Sequence, residues 1–212
     1  MKTLGLSKLG LNSVNFYEYL LNKLIDFGEK IEVEVIDTNK HDYDFILFDG
    51  GSDVSPELYN EDKHKTTYND FARDGYEMKL FVDYLTKPVK YIGICRGSQF
   101  LNVMYGGTLY QNLDDYKKGH NYYHNIKLCD TVFPENSLRK NIPNLSRVNS
   151  THHQAVKELG DNLIRIAYEP NTGITESYMS IDDKTRAVQF HPEMIYEFPF
   201  ATDVIKWLFH YC

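Results

Sequence analysis

Cysteine is scarce in this chain, and its scarcity excludes two kinds of stabilising framework. The three cysteines, Cys95, Cys129 and Cys212, are odd in number and far apart. A disulfide-rich secreted domain carries an even set, and a zinc site carries closely spaced pairs of cysteine or histidine. We therefore expect no disulfide framework, no metal and no cofactor, and we expect a cytoplasmic protein.

Long apolar runs and a surplus of positive charge are also missing. No stretch approaches the roughly 18 apolar residues that suggest a membrane-spanning helix. Polar residues interrupt the segment after Lys2, where a secretory signal would have its apolar core. The formal net charge of −7 disfavours a partner that is a nucleic acid polymer, because proteins that bind such polymers present a basic face. We expect neither a membrane nor a nucleic acid partner.

Internal repeats, low-complexity tracts and composition breaks are absent from the sequence as well. A chain of 212 residues is long enough to bury one core without metal or disulfide support. We therefore expect one domain over residues 1–212.

The first half of the chain alternates short apolar strands with helical patterns. Strands are predicted at 3–7, 31–35, 45–48 and directly before Cys95, and helices at 13–28 and about 68–87, with Ser13 and Gly28 as caps of the first helix. The alternation is typical of an α/β fold with a mostly parallel sheet and helices on both faces. The second half favours strands near Val148, 163–167, 174–179 and 187–190, followed by a helix at 200–211.

The helix at about 68–87 has an apolar side made of Phe71, Met78, Phe81, Val82 and Leu85. Three charged residues, Arg73, Asp74 and Glu77, share another face. A solvated, salt-bridged surface accounts for them about as well as a functional role does.

Cys95 lies between a predicted strand and a predicted helix, with Gly93 and Gly97 two residues to either side. This spacing matches a nucleophile elbow with cysteine in the place of serine. The sharp turn strains the backbone at the nucleophile, and bulky neighbours would collide there. The start of the following helix favours an anionic thiolate. The alternative is a buried structural cysteine beside a chance pair of glycines.

A base for this cysteine is available at His191, which directly follows a predicted strand. Pro192 stiffens the turn, and Glu193 can curl back to accept a hydrogen bond from the imidazole. A surface turn with a solvated glutamate is the alternative. His120 and His124 are four residues apart, but no carboxylate or cysteine near them in the sequence completes a metal site.

Acyl transfer also needs donors for an oxyanion. The backbone N–H of Arg96 is free at the start of the helix, and Gly51, after Gly50, can supply a second N–H. A simple tight turn explains the glycine pair equally well. The Arg96 side chain either meets an anionic leaving group or braces the elbow through Glu77 or Glu193.

Several segments resemble class I glutamine amidotransferase-like proteins, most closely the γ-glutamyl hydrolase branch typified by γ-glutamyl-γ-aminobutyrate hydrolase. They are Asp49-Gly50-Gly51-Ser52-Asp53-Val54-Ser55-Pro56-Glu57-Leu58-Tyr59, Arg73-Asp74 with Glu77, Gly93-Ile94-Cys95-Arg96-Gly97-Ser98-Gln99, Asn102-Val103, Gly106-Gly107-Thr108-Leu109-Tyr110-Gln111, Val148-Asn149-Ser150-Thr151-His152-His153-Gln154 and Gln189-Phe190-His191-Pro192-Glu193.

The resemblance implies a flavodoxin-like three-layer α/β sandwich and a triad of Cys95, His191 and Glu193. It also implies that a second set of residues holds the glutamyl part of a substrate, namely Gly50, Gln99, Asn149, Ser150, His152 and His153. For the two histidines of that set, a metal site, a second base or plain packing are the alternatives. Asp49 departs from the family, which usually has proline there. The chain is also shorter than typical members of the branch, so the loops that cover the substrate are expected to be trimmed.

The implied activity is cysteine-dependent cleavage of a γ-glutamyl amide through a γ-glutamyl thioester, with release of glutamate. Two leaving groups stay open: an amine such as γ-aminobutyrate, or a cytidine diphosphoramidate used in capsule decoration. A glutaminase subunit that supplies ammonia to a partner synthase is one alternative, and a non-catalytic binder of glutamyl metabolites is another. A homo-oligomer is compatible with the sequence, which does not fix the oligomeric state.

Overall fold

A computed structural model of the chain describes residues 1–7, 11–24, 28, 30–40, 42–116, 123–129 and 147–209. The strands are β1 (Lys2–Leu6), β2 (Ile31–Val35), β3 (Phe45–Phe48), β4 (Lys90–Ile94), β5 (Thr108–Tyr110), β6 (Tyr123–Asn125), β7 (Lys127–Leu128), β8 (Arg147–Asn149), β9 (Ala155–Glu158), β10 (Leu163–Tyr168), β11 (Thr175–Ser180) and β12 (Thr185–Val188). The helices are α1 (Leu11–Leu24), α2 (Phe71–Asp83), α3 (Arg96–Met104), α4 (Leu113–Tyr116) and α5 (Pro199–Leu208), with 3₁₀ helices at Pro56–Tyr59 and Pro192–Met194.

The central sheet has the strand order β2-β1-β3-β4-β12-β11-β10-β7. The strands from β2 to β12 in this order pair in parallel, and β11, β10 and β7 continue the sheet antiparallel. If only the five parallel strands are counted, so that β12 is the fifth, their order is the 2-1-3-4-5 of flavodoxin-like folds. The predicted mostly parallel α/β sheet is therefore confirmed. Two small antiparallel pairs, β5 with β9 and β6 with β8, lie beside the sheet.

Helices cover both faces of the sheet. Successive side chains of a strand point to opposite faces, so each strand contributes to a core on either side. On β4, Ile92 and Ile94 belong to the core under α1 and α5, whereas Tyr91 belongs to the core under α2 and α3. The uninterrupted apolar run of β3 fits a strand that is buried on both faces. The three-layer arrangement is thus as predicted.

The orientation of α2 differs from the prediction. Of the predicted apolar side, only Phe81 is buried, whereas Phe71 and Val82 are 62% and 60% exposed. The helix instead buries Asp74 and Glu77 beside Leu80 and Phe81. The reason is electrostatic, since these carboxylates meet a buried arginine of α3. Of the two alternatives for these residues, the solvated surface is therefore wrong for Asp74 and Glu77.

Some boundaries also differ from the prediction. Helix α1 begins at Leu11, two residues before the predicted cap Ser13. Helix α2 ends at Asp83, earlier than predicted, and it begins later, at Phe71, because Asp70 caps it by accepting hydrogen bonds from the backbone N–H groups of Ala72 and Arg73. Cys212 and His120 lie outside the described residues. Among the described helices, none is long and apolar enough to cross a membrane.

Candidate active site

Three neighbouring parallel strands bring the predicted catalytic residues to one edge of the sheet. Gly50 and Gly51 follow β3, Cys95 follows β4, and His191 follows β12. The registers Phe48 with Gly93 and Val188 with Ile94 align the ends of these strands. Function in open α/β sheets gathers at the carboxyl ends of the strands. The order of elements along the chain thus places a nucleophile, a base and a glycine loop side by side.

The backbone of Cys95 is strained, as the elbow spacing predicts. Its φ of 52° and ψ of −108° lie in a region that residues other than glycine rarely adopt. The flanking glycines are required by close packing: a Cβ on Gly97 would lie 1.8 Å from the carbonyl oxygen of Phe48, and one on Gly93 would lie 2.9 Å from the Ser98 backbone. The turn therefore holds the thiol at the first residue before α3.

His191 is held by contacts to its ring and to its backbone. Its Nδ1 lies 2.6 Å from Oε1 of Glu193, across the turn made by Pro192. Asn149 binds the backbone of the same residue, because its Nδ2 donates to the carbonyl of His191 at 3.0 Å and its Oδ1 accepts from the N–H at 2.9 Å. Since Nδ1 is occupied by Glu193, Nε2 is the nitrogen left to face the thiol.

The environment of His191 favours its charged form. Burial lowers the pKa of the imidazole, but hydrogen bonds to Cys95 and Glu193 outweigh it and raise the pKa to about 10. Burial raises the pKa of Glu193, and the hydrogen bond to His191 opposes that rise. The opposite effects of burial on the two groups are as expected, because burial always disfavours the charged form. The thiol of Cys95 and the imidazole of His191 can therefore exchange a proton, and the carboxyl of Glu193 stabilises the positive imidazole.

Two glutamines, Gln189 and Gln99, form a hydrogen-bond chain that links Cys95 to the loop after β8. Gln189 Nε2 lies 3.8 Å from Sγ of Cys95, and its Oε1 accepts from Nε2 of Gln99 at 3.1 Å. Gln99 also donates to the carbonyl of Gln154 at 2.9 Å, which ties α3 to the loop after β8. Gln189 is a contact of the cysteine to which the sequence assigned no role. Its place two residues before His191, within a segment that resembles the family, is the signal that could have identified it.

The two predicted oxyanion donors both have free N–H groups. The N–H of Arg96 is the first of α3 and has no intrahelical acceptor, and Gly51 adopts a φ of 151° that favours glycine. Within the described residues, no acceptor bonds to either group. Gly50 differs, since its N–H donates to Oδ1 of Asp49 at 2.7 Å. Asp49 in place of proline therefore occupies that N–H and leaves the one at Gly51.

The side chain of Arg96 braces the elbow. It is 1% exposed and forms ion pairs with Asp74 and Glu77 of α2. Asp74 in turn accepts from the backbone N–H of Ser55 at 3.0 Å. Of the two predicted roles for this side chain, the brace to Glu77 is the one that the structure shows, with Asp74 as a further partner.

The remaining predicted substrate residues lie on the loop after β8. His152 Nδ1 is 2.8 Å from the carbonyl oxygen of Gln154, and Nε2 of His153 is 3.0 Å from both carboxylate oxygens of Asp53. A hydrogen bond to Asp53 raises the pKa of His153. Ser150 is buried at the start of the loop. The structure thus joins this loop to the segment after Gly51, and the substrate contacts themselves stay predictions.

The structure describes His124 but not His120, so the predicted spacing of the two histidines falls partly outside the residues 1–7, 11–24, 28, 30–40, 42–116, 123–129 and 147–209 that it describes. Those described residues contain no group of three or more histidine, cysteine or acidic side chains arranged for a metal ion. His124 instead pairs with the buried Glu176, with Nε2 and Oε1 3.1 Å apart.

Comparisons with known proteins identify the family of this chain. The model of the peptidase C26 family matches residues 28–193. Protein NtpR of Enterococcus hirae is 37% identical over 161 residues, which cover 71% of this chain and 67% of NtpR. The glutamine amidotransferase-like protein YvdE of Lactococcus lactis is 35% identical over 160 residues, covering 73% and 67%. A solved glutamine amidotransferase from Thermotoga maritima has the same fold, with a TM-score of 0.63 at 18% identity over 91% of this chain and 76% of that one. The chain belongs to the peptidase C26 family of class I glutamine amidotransferase-like proteins.

Proposed function

We propose that this protein is a cysteine hydrolase that cleaves γ-glutamyl amides and releases glutamate. The observation that supports the proposal most is the alignment of Cys95, His191 and Glu193 at one edge of the sheet, with a 2.6 Å contact between the last two. A nucleophile, a base and an orienting carboxylate in this order are what acyl transfer by a covalent route requires.

In the first step, Sγ of Cys95 attacks the γ-carbonyl carbon while Nε2 of His191 holds the thiol proton. The carbonyl oxygen becomes an oxyanion, which accepts hydrogen bonds from the N–H groups of Arg96 and Gly51. As the intermediate collapses, the C–N bond breaks and His191 gives its proton to the departing amine. The product that stays on the enzyme is a γ-glutamyl thioester.

In the second step, water replaces the amine. His191 takes a proton from the water as its oxygen attacks the thioester, and the same two N–H groups hold the second oxyanion. Collapse breaks the C–S bond, returns the proton to sulfur and frees glutamate. Glu193 keeps the tautomer of His191 correct throughout, because it accepts from Nδ1 in both steps.

The glutamyl group is assigned to the side of the site that Gln99 and the Asn149–His153 loop form. For the leaving group, an amine such as γ-aminobutyrate and a nucleotide amidate are both retained. A role of the Arg96 side chain in binding an anionic leaving group is not part of the proposal, since Asp74 and Glu77 occupy it.

The decisive experiment follows glutamate release from γ-glutamyl-γ-aminobutyrate, from a γ-glutamyl nucleotide amidate and from L-glutamine. Turnover of either of the first two, lost in Cys95→Ala and kept in Cys129→Ala, supports the proposal. Cys129 is a suitable control because it is a second free cysteine and directly follows β7, at the edge of the sheet, which β12, β11 and β10 separate from β4.

Other outcomes point to other functions. Glutamine cleavage that appears only when a synthase is added would identify a glutaminase subunit. The absence of any turnover, together with no adduct at Cys95 from a glutamine-like electrophile such as diazo-oxo-norleucine, would identify a binding protein. Full activity in Cys95→Ala would rule out the covalent mechanism.

A further inference from the structure

Arg73 of α2 binds the backbone of the loop that carries the second oxyanion donor. Its Nη1 donates to the carbonyl of Gly50 at 3.0 Å, and its Nη2 donates to the carbonyl of Asp49 at 2.8 Å. Two consecutive peptide groups are therefore held by one guanidinium. A fixed fork of donors is what distinguishes arginine from lysine in such a contact.

Peptide geometry turns this contact into control over the N–H of Gly51. The carbonyl of Gly50 and the N–H of Gly51 belong to one peptide group, which is trans and planar, so the two bonds point in opposite directions. Because Arg73 holds the carbonyl on its own side, the N–H must point to the other side. Turning the peptide over would replace the donor by an oxygen and break the bond to Arg73.

A buried carboxylate links Arg73 to the other half of the oxyanion site. Oε1 of Glu77 accepts from Nε of Arg73 at 2.9 Å, and its other oxygen pairs with Nη1 of Arg96. Glu77 is fully buried, at 0% exposure. The backbone of Arg96 supplies the other N–H. One carboxylate of α2 therefore connects the two segments that provide the two donors.

We propose that Arg73, anchored by Glu77, is a positioning residue that keeps the N–H of Gly51 aimed at the same point as the N–H of Arg96. The inference rests on the proposed function, because an oxyanion forms only if acyl transfer takes place. Arg73 acts through the backbone and does not touch the reacting atoms.

Two reactions of Cys95 separate this role from a merely structural one. Cleavage of a γ-glutamyl amide passes through an oxyanion, whereas alkylation by iodoacetamide displaces iodide at a saturated carbon and forms none. In Arg73→Gln we expect kcat for cleavage to fall on the order of 10²-fold, as for loss of one oxyanion donor. KM and the alkylation rate should stay near their wild-type values.

A conservative variant and a matched control sharpen the test. Arg73→Lys keeps the charge without the fork, so it should be nearly as slow in cleavage as Arg73→Gln. Arg186 is the control, because it likewise pairs with a carboxylate, Asp183 at 2.8 Å, and donates to a backbone carbonyl, that of Trp207, away from the site. Arg186→Gln should lower the melting temperature and leave kcat unchanged.

The outcomes are distinguishable. Parallel loss of cleavage and alkylation in the Arg73 variants, or full cleavage in Arg73→Gln or Arg73→Lys, would overturn the inference and leave the proposed function intact. A wild-type protein that alkylates at Cys95 but cleaves no γ-glutamyl amide would overturn the proposed function and this inference with it.

Discussion

Gly50 packs directly against His191. A Cβ on the glycine would lie 2.8 Å from Cε1 of the imidazole and 3.8 Å from Cβ of Cys95. Real Cβ atoms do not approach a ring carbon so closely, so only hydrogen fits at this position. The loop after β3 therefore forms one wall against the catalytic pair.

Gly50→Ala should displace the imidazole of His191 from the thiol. Glu193 and Asn149 hold the histidine on its other sides, so the clash must be relieved by moving the ring or the loop. Because a misplacement of about 1 Å can cost on the order of 10²-fold in rate, we expect a loss of that size in kcat for γ-glutamyl amide cleavage.

Gly75→Ala is the control: Gly75 is exposed on α2 with nothing within 4 Å of an added Cβ. It should keep full activity and gain about 0.5–1 kcal/mol in the free energy of unfolding. Wild-type turnover by Gly50→Ala would contradict the prediction.

Gly97→Ala should act on folding before it acts on catalysis. The added Cβ would lie 1.8 Å from the carbonyl oxygen of Phe48, which is backbone and cannot swing aside. We expect a loss of about 3 kcal/mol or more in the free energy of unfolding, at or above the usual range for overpacking. The free energy of unfolding is measured by urea denaturation monitored by circular dichroism, with Gly75→Ala measured in parallel as the control. A midpoint equal to that of the wild type would show that α3 can shift away from β3.

Asn149→Ala separates a positioning role from a substrate-binding role. Both polar atoms of the Asn149 side chain bind the backbone of His191, so its loss should disturb the base. We expect a lower kcat with little change in KM, and a loss of about 1–3 kcal/mol in stability from the buried groups left unpaired. Steady-state kinetics checks this. A raised KM at unchanged kcat would instead assign Asn149 to the glutamyl group, as the family resemblance implies.

The charged state of His191 should make stability depend on pH. The folded pKa of about 10 lies above the ordinary value of 6.5, so the folded state binds this proton more tightly than the unfolded state. The resulting stabilisation is fully present below pH 6.5 and is lost as the pH rises through about 10. Glu193→Gln removes part of the cause, so its free energy of unfolding should decline less over this interval.

Nitrogen NMR of the imidazole measures the same property directly. In the wild type the ring should titrate far above its ordinary range, and in Glu193→Gln or Cys95→Ala at a lower pH. If the His191 imidazole of the wild type titrated near 6.5, the ion pair between His191 and Glu193 would not form.

The parts of the structure that the sequence predicted correctly depend on local patterns. The apolar run of β3 and the glycines around Cys95 each reflect a constraint within a few residues, namely burial on both faces and crowding at a sharp turn. The ends of neighbouring parallel strands then bring Cys95 and His191 together whatever the details of their loops. Fold class and the geometry of the elbow were therefore predictable.

The parts that were missed depend on partners far away in the chain. Hydrophobic periodicity assumes that charged residues face water, and it oriented α2 wrongly because Asp74 and Glu77 are buried against Arg96. The partners of Asn149 and Gln189 likewise lie 42 and 94 positions away. Asp49 is similar: besides the N–H of Gly50, its Oδ1 accepts from the hydroxyl of Tyr17 on α1 at 3.0 Å.

The carboxylate of Glu77 serves two arginines at once, and this limits how the protein can change over evolutionary time. Replacing Glu77 breaks a buried ion pair, which costs about 3–5 kcal/mol, although Arg96 keeps Asp74 and Arg73 keeps the carbonyls of Asp49 and Gly50. A typical domain has only about 5–15 kcal/mol of stability in total. Loss of Glu77 in a lineage is therefore expected together with compensating substitutions around the two arginines.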